Sequence, residues 1–170
     1  MQHASVAAIV EALNASGVRY LLVGGLAVVA HGHVRFTADI DIVVDLEQGR
    51  PGPALAALAA LGFRPRAPVA IGDFADETKR VSWIQDKGLM VFSLWSPEHP
   101  ATEIDLFVEQ PFDDFAAAYG RAARIEVAPG VSGVFVGLED LIRLKRDAGR
   151  PQDLLDVERL EELREESRHG

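Results

Sequence analysis

Two periods of apolar and polar residues alternate along the chain and mark its elements. Over 4–16, ASVAAIVEALNAS, apolar positions recur every three to four residues and Gly17 follows, which predicts a helix with a glycine stop. RYLLV (19–23) is a short apolar run of strand type, and LAVVAHG (26–32) after Gly24-Gly25 is a short helix. ADIDIVVD (38–45) alternates and is rich in β-branched residues, so it predicts a strand. GPALAALAALG (52–62) is an alanine-rich helix ended by Gly62. KRVSWIQDKGLMVFSLW (79–95) is expected to form a β-hairpin with Asp86-Lys87-Gly88 as its turn. TEIDLFVE (102–109) and VSGVFV (131–136) are strands, and FDDFAAAYG (112–120) is a helix with acidic residues in its first turn. LEDLIRLKRDAG (138–149) and PQDLLDVERLEELREE (151–166) form a helical pair, punctuated by Gly149 and Pro151.

The order of elements implies a mixed α/β (α+β) fold, a sheet flanked by helices, with a C-terminal helical pair. The 170 residues suit one domain, 1–170, with a core over about 1–136 and the terminal helices over about 138–166. Apolar residues make up 48 % of the chain, enough for a substantial core. The longest apolar run, Tyr20 to Ala30, is broken by the glycine pair and falls well short of the ~20 residues of a membrane span. The N-terminal segment has no basic region ahead of an apolar stretch, so no secretory leader is expected. The absence of cysteine excludes disulfide and thiol chemistry and fits a cytoplasmic location. A formal net charge of −9 disfavours a broad grip on nucleic acid, although RLKRDAGR (143–150) gathers cations locally. The acidic stretch ERLEELREES (158–167) is expected to be a solvated helix face.

Candidate chemistry enters with Asp39 and Asp41. On a strand, residues two apart point the same way with Cα atoms roughly 6.5–7 Å apart, so both carboxylates share the face opposite Ile40, Ile42 and Val44. Two partly desolvated anions so close repel, and a divalent cation such as Mg²⁺ offsets that with hard oxygen ligands. Asp105 alternates with Ile104 and Leu106 in the same manner. If its strand neighbours 39–44, a third carboxylate joins the pair, and three can hold two metal ions at a phosphoryl-transfer site. Glu103 shares the face of Asp105 and is a weaker candidate. An alternative stays open: an amphipathic edge strand whose aspartates pair with Arg35 or Arg19. Gly24-Gly25 permits positive φ and close approach of a ligand to the backbone at the start of the next helix. No G-x-G-x-x-G and no Gly-Lys-Ser/Thr is present. Thirteen residues separate Gly25 from Asp39, enough for a short helix and a return loop that bring glycines and carboxylates to one edge of the sheet.

Gly-Gly, a short helix, Asp-x-Asp on the next strand and a lone Asp on a later strand resemble the nucleotidyltransferase superfamily to which DNA polymerase beta belongs. GGLAVVAHGHVRFTADIDIVVD (24–45) with GLEDLIRLKRDAGRPQDLLDVERL (137–160) is similar to the small bacterial nucleotidyltransferases of abortive-infection and toxin–antitoxin type. The resemblance implies a mixed-sheet nucleotidyltransferase core that binds Mg²⁺ or Mn²⁺ and takes an NTP, such as ATP, as substrate. It implies Asp39 and Asp41 as metal ligands and Asp105 as the third carboxylate, acting as metal ligand or as base toward the acceptor hydroxyl. Gly24 and Gly25 would hold the triphosphate, Arg35 and Thr37 would lie at the site, and Lys145 would reach the phosphates. Many superfamily members carry serine where this chain has Gly25, so the backbone must do that work here. The implied acceptor is an RNA 3′ end (tRNA-like) or a side chain of a partner protein, with a cognate toxin or antitoxin as partner. A small antibiotic is a further acceptor, and a non-catalytic nucleotide-binding antitoxin or regulatory module is the alternative.

The remaining conspicuous residues have structural readings. Lys145 flanks an apolar stripe of Leu141, Leu144 and Ala148, where a pairing with Asp140 or Asp153 stands against a phosphate contact. Asp153 and Asp156 fall on adjacent helical turns and are expected to partner Arg150, Lys145 or Arg146. His31 and His33 lack further ligands for zinc and are expected to cap the short helix. Arg64-Pro65-Arg66 reads as a solvated loop, and Trp83, Trp95, Phe92 and Phe107 as core packing.

Overall fold

The computed structural model describes residues 2–47 and 50–169. Its elements run α1 (His3–Ser16), β1 (Tyr20–Val23), α2 (Gly24–Ala30), β2 (Asp39–Val44), α3 (Gly52–Ala60), β3 (Arg64–Pro65), a 3₁₀ turn (Ile71–Ala75), α4 (Glu77–Lys87), β4 (Val91–Trp95), β5 (Glu103–Phe107), α5 (Phe115–Gly120), β6 (Ala123–Ala128), β7 (Val131–Phe135), α6 (Leu138–Ala148) and α7 (Pro151–His169). The strands form one mixed sheet in the order β3-β4-β5-β2-β1-β7-β6. The expected fold class, a mixed α/β core with a C-terminal helical pair, is therefore the one observed.

The sheet order places β2 at the centre, parallel to β5 and antiparallel to β1. That position excludes the edge-strand alternative for Asp39 and Asp41. Ile40, Ile42, Val43 and Val44 are buried in the core with Leu21, Leu22, Ile104 and Leu106. Burying each such side chain stabilises the fold by about 1.5–3 kcal/mol, so the apolar face fixes the register. With that register set, the carboxylates have no choice of face. Packing of α2 against β1, β2 and α6, and of α6 against α7, carries the C-terminal pair onto the same end of the central strands.

The expected hairpin over 79–95 is not formed. Residues 77–87 are helix α4, and only 91–95 make a strand. Asp76 caps the helix by accepting from the Lys79 N–H, and Gly88 ends it at φ 61° with its N–H on the Ile84 carbonyl. A glycine after the last helical turn and a glycine in a tight hairpin look alike in sequence. Arg80 and Trp83, both buried, are three residues apart, which puts them on one face of a helix but on opposite faces of a strand. Strand β6 was not expected; it pairs with β7 around Gly130 at φ 77°. The Arg64-Pro65-Arg66 stretch contributes the two-residue β3 rather than a loop. Helix α5 starts three residues later than expected, with Asp114 as its cap. Among the described residues, no helix is long and apolar enough to cross a membrane.

Candidate active site

A cavity of about 720 Å³ opens where β1 ends and β2 and β5 begin. Every site residue expected from the sequence lines it: Gly24, Gly25, Arg35, Thr37, Asp39, Asp41, Asp105 and Lys145. Asp41 stands directly opposite Asp105 across the β2–β5 ladder and opposite Val23 across the β1–β2 ladder. Asp39 lies one pleat earlier, opposite Glu103. Glu103 itself is ion-paired to Arg66. The site thus sits at one end of the central strands rather than along a sheet edge.

The two glycines are explained by what presses on them. A Cβ at Gly24 would lie 1.8 Å from the Asp41 carboxylate, and Gly24 also has φ 62°. A Cβ at Gly25 would lie 2.5 Å from the Thr37 hydroxyl and 3.0 Å from the Arg35 guanidinium. The contacts to Asp41 and Thr37 are closer than a Cβ tolerates and that to Arg35 is tight, so glycine is the residue that lets the carboxylate, hydroxyl and guanidinium close around this turn. The Thr37 hydroxyl also donates to the Asp39 carbonyl at 3.4 Å.

Burial is the first cause that raises the Asp41 carboxyl, with the charges of Asp105 and Asp39 adding to it; its pKa reaches about 6. Lys145 and the Gly25 backbone N–H pull it back only in part. None of Asp39, Asp41 and Asp105 has a cationic partner among the described residues: Arg19 pairs with Asp45 at 2.5 Å and Arg35 with Asp156 at 2.8 Å. The Ser93 hydroxyl donates to Asp105 Oδ1 at 2.5 Å. Sequence reasoning missed Ser93, because the stretch holding it was read as one arm of a hairpin.

The opposite wall is cationic but internally compensated. Lys145 Nζ lies 2.7 Å from Asp153 and 3.0 Å from Asp156, and Arg150 pairs with Asp153 at 2.6 Å. Lys145 is 5 % exposed, Asp153 1 % and Asp156 0 %. Burial works to raise both carboxyls, but the hydrogen bonds from Arg150 and Lys145 to Asp153, and from Lys145 and Arg35 to Asp156, outweigh it and leave both lowered. Asp153 and Asp156 are the structural partners expected; Arg146 pairs with Glu161 instead. An ammonium has three donors and two are used here, so Lys145 keeps one for the cavity. Arg35 gives Nη1 to the Phe36 carbonyl and Nη2 to Asp156 and retains further N–H groups.

The other singled-out residues are structural. His31 and His33 terminate α2 through N–H bonds to the carbonyls of Ala27 and Val28. Trp83 and Phe92 stack in the core, while Trp95 sits at the edge under Arg64. Phe107 and Met90 line the cavity, and Phe36 stands at its mouth 81 % exposed.

The donor set of Asp39, Asp41 and Asp105 is all hard oxygen, the chemistry Mg²⁺ or Mn²⁺ takes. Among the described residues, no three acidic, histidine or cysteine side chains converge closely enough to enclose an ion by themselves. The set therefore fits a cation that draws the rest of its coordination from water and phosphate, as Mg²⁺ usually does, and not a closed protein cage.

The sheet order and the helical pair define a class of fold, a seven-stranded mixed sheet flanked by helices with a C-terminal helical pair. Among solved structures, the chain is similar to the solution structure of the antibiotic-resistance factor ANT(2'')-Ia, with a TM-score of 0.58 and 20 % sequence identity, covering 99 % of this chain and 91 % of that one. At that identity the likeness is one of fold. The sequence matches no family model and no curated protein.

Proposed function

We propose that this chain is a nucleotidyltransferase that moves a nucleoside monophosphate from an NTP to an acceptor hydroxyl and releases pyrophosphate. The observation that carries this reading is the in-register pair Asp41 and Asp105, with Asp39 beside them, left without cations on the floor of a cavity whose facing wall holds Lys145, Arg35 and Arg150. Such a floor is electrostatically unfavourable unless positive charge arrives with the ligand. A Mg²⁺ or Mn²⁺ ion held by Asp39, Asp41 and Asp105 would screen these anions from the triphosphate and polarise the phosphate under attack.

The chain's own groups then divide the work. The free donors of Lys145 and Arg35 hold the triphosphate and take up charge on the leaving pyrophosphate. The acceptor oxygen bonds to the α-phosphorus, and the bond from that phosphorus to the oxygen bridging to the β-phosphate breaks. The electron pair of that bond leaves with pyrophosphate, and the acceptor proton passes to the Asp105 carboxylate. Gly24 and Gly25 hold Asp41 and Thr37 tight against the backbone of the turn.

The charge of the cavity favours one acceptor among those the sequence leaves open. With Asp39, Asp41 and Asp105 assigned to the metal, Asp147 is the lining carboxylate left without an ion-pair partner among the described residues, and the lining cations are all ion-paired. With a net charge of −9, this favours a small cationic compound bearing hydroxyls over an RNA 3′ end. The fold neighbour's name, an antibiotic-resistance factor, accords with that choice. The partner-protein acceptor of a toxin–antitoxin pair has no comparable support.

The test is to incubate the protein with each α-labelled NTP and Mg²⁺ or Mn²⁺, separately with polycationic antibiotics, total RNA and a cell lysate. Label is expected on the small cations and not in Asp39→Asn or Asp41→Asn. Label on RNA or on one lysate protein overturns the choice of acceptor. Nucleotide and Mn²⁺ binding with no transfer to any pool overturns the enzyme reading in favour of a binding module.

A further inference from the structure

Ser93 on β4 stands directly opposite Asp105 on β5, which in turn stands opposite Asp41 on β2. A row of Ser93, Asp105 and Asp41 therefore crosses three adjacent strands on one face of the sheet. The Ser93 hydroxyl donates to Asp105 Oδ1 at 2.5 Å, the short end of the range for a hydroxyl on a carboxylate. Among the described residues, Asp105 is the one member of the carboxylate trio that receives a side-chain hydrogen bond. Ser93 does not line the cavity, whereas Asp105 does.

We infer that Ser93 is a positioning residue: it holds one oxygen of Asp105 in the sheet and leaves the other to face the cavity. Asp105 has two oxygens and no cationic partner, so without this bond its carboxyl would turn freely between Ser93, Asp41 and solvent. With Oδ1 held, Asp105 presents Oδ2 alone to the cavity. This accords with the absence of a closed three-carboxylate cage among the described residues. Loss of a hydrogen-bonding partner that orients a ligand in this manner typically costs about tenfold to a hundredfold in metal affinity or activity. The kinetic part of this inference rests on the nucleotidyl-transfer reading; the metal-binding part does not.

The test compares wild type with Ser93→Ala, Ser93→Thr, Asp105→Asn and the Ser93→Ala/Asp105→Asn double variant. Mn²⁺ affinity is measured by calorimetry without nucleotide, kcat and the NTP KM at saturating Mn²⁺, and melting temperature as a fold control. Ser93→Ala is expected to weaken Mn²⁺ binding and lower kcat by about tenfold to a hundredfold, with the NTP KM held within about threefold. Ser93→Thr, which keeps the hydroxyl on a residue suited to strands, restores both to within about threefold, and Ser93→Ala adds nothing in the Asp105→Asn background. Wild-type Mn²⁺ affinity in Ser93→Ala overturns the inference, as does a Ser93→Thr as impaired as Ser93→Ala, or a full Ser93→Ala effect without Asp105. A wild type that binds Mn²⁺ but transfers no nucleotide sinks the function alone, and the Mn²⁺ titration then decides Ser93. A wild type that binds no Mn²⁺ overturns both.

Discussion

Two groups of aspartates line the same cavity and live under opposite conditions. Asp153 and Asp156 on α7 are almost completely buried, yet Lys145, Arg150 and Arg35 surround them and hold their carboxyls below the usual range. Asp39, Asp41 and Asp105 on the central strands are less deeply buried but have no cation, and the Asp41 carboxyl is pushed up to about 6. The compensated group ties two helices and a loop together. The uncompensated group holds repulsion that a bound cation would relieve, which is the signature expected of a binding site and not of a brace.

The largest effect should separate the two groups by activity. Asp41→Asn and Asp39→Asn are expected to lower nucleotide transfer by roughly 10²–10⁴-fold while leaving the melting temperature unchanged or raised, measured by label transfer and thermal unfolding. Asp156→Asn should do the reverse in stability. It strips a fully buried partner from Lys145 and Arg35 and is expected to cost about 3–5 kcal/mol in urea unfolding. Equal destabilisation by Asp41→Asn and Asp156→Asn would erase the distinction.

A pH series sharpens the comparison further. The folded Asp41 carboxyl binds its proton more tightly than the unfolded one, whose pKa is about 3.9, so its contribution to stability is present below about pH 4 and is lost as pH rises through about 6. In metal-free protein that loss amounts to about 1–3 kcal/mol and should vanish in Asp41→Asn. Asp153 and Asp156 have the opposite sign: their lowered carboxyls stabilise the fold above the ordinary carboxylate range, and that stability is lost as pH falls. Metal binding needs Asp41 ionised, so the Mg²⁺-linked rise in melting temperature should be larger at pH 8 than at pH 5. The smallest effect falls on the turn that serves the uncompensated group. Gly24→Ala adds a Cβ at positive φ against Asp41 and is expected to cost about 1–3 kcal/mol, with activity falling further than stability because the carboxylate moves.

Much of this contrast was visible in the sequence, because strand alternation is a strict geometric rule. Asp39, Asp41 and Asp105 each sit between apolar neighbours, so their shared orientation followed once the apolar side was assigned to the core. Gly24-Gly25 was legible as a close-approach site, but what approaches it, Asp41 and Thr37, needed the tertiary fold. Sequence leaves Lys145 between two readings because helical spacing says which face a residue occupies, not what packs on it; α7 covers it, and it pairs with Asp153 while lining the cavity. Ser93 was hidden by the misread helix α4. Once 79–88 was taken as a β arm, the position opposite Asp105 had no special meaning. Strand β6 was overlooked because its partner β7 lies beyond a tight Gly130 turn that carries little apolar signal.

The order in which these residues occur along the chain has a consequence for biosynthesis. All three carboxylates and the glycine turn lie before residue 108, whereas Lys145, Arg150, Asp153 and Asp156 come after residue 137. A ribosome-bound intermediate halted between those points would carry the anionic floor with Arg35 as its one lining cation among the described residues. The cationic wall should therefore join the anionic floor only after residues 138–156 have left the exit tunnel and docked.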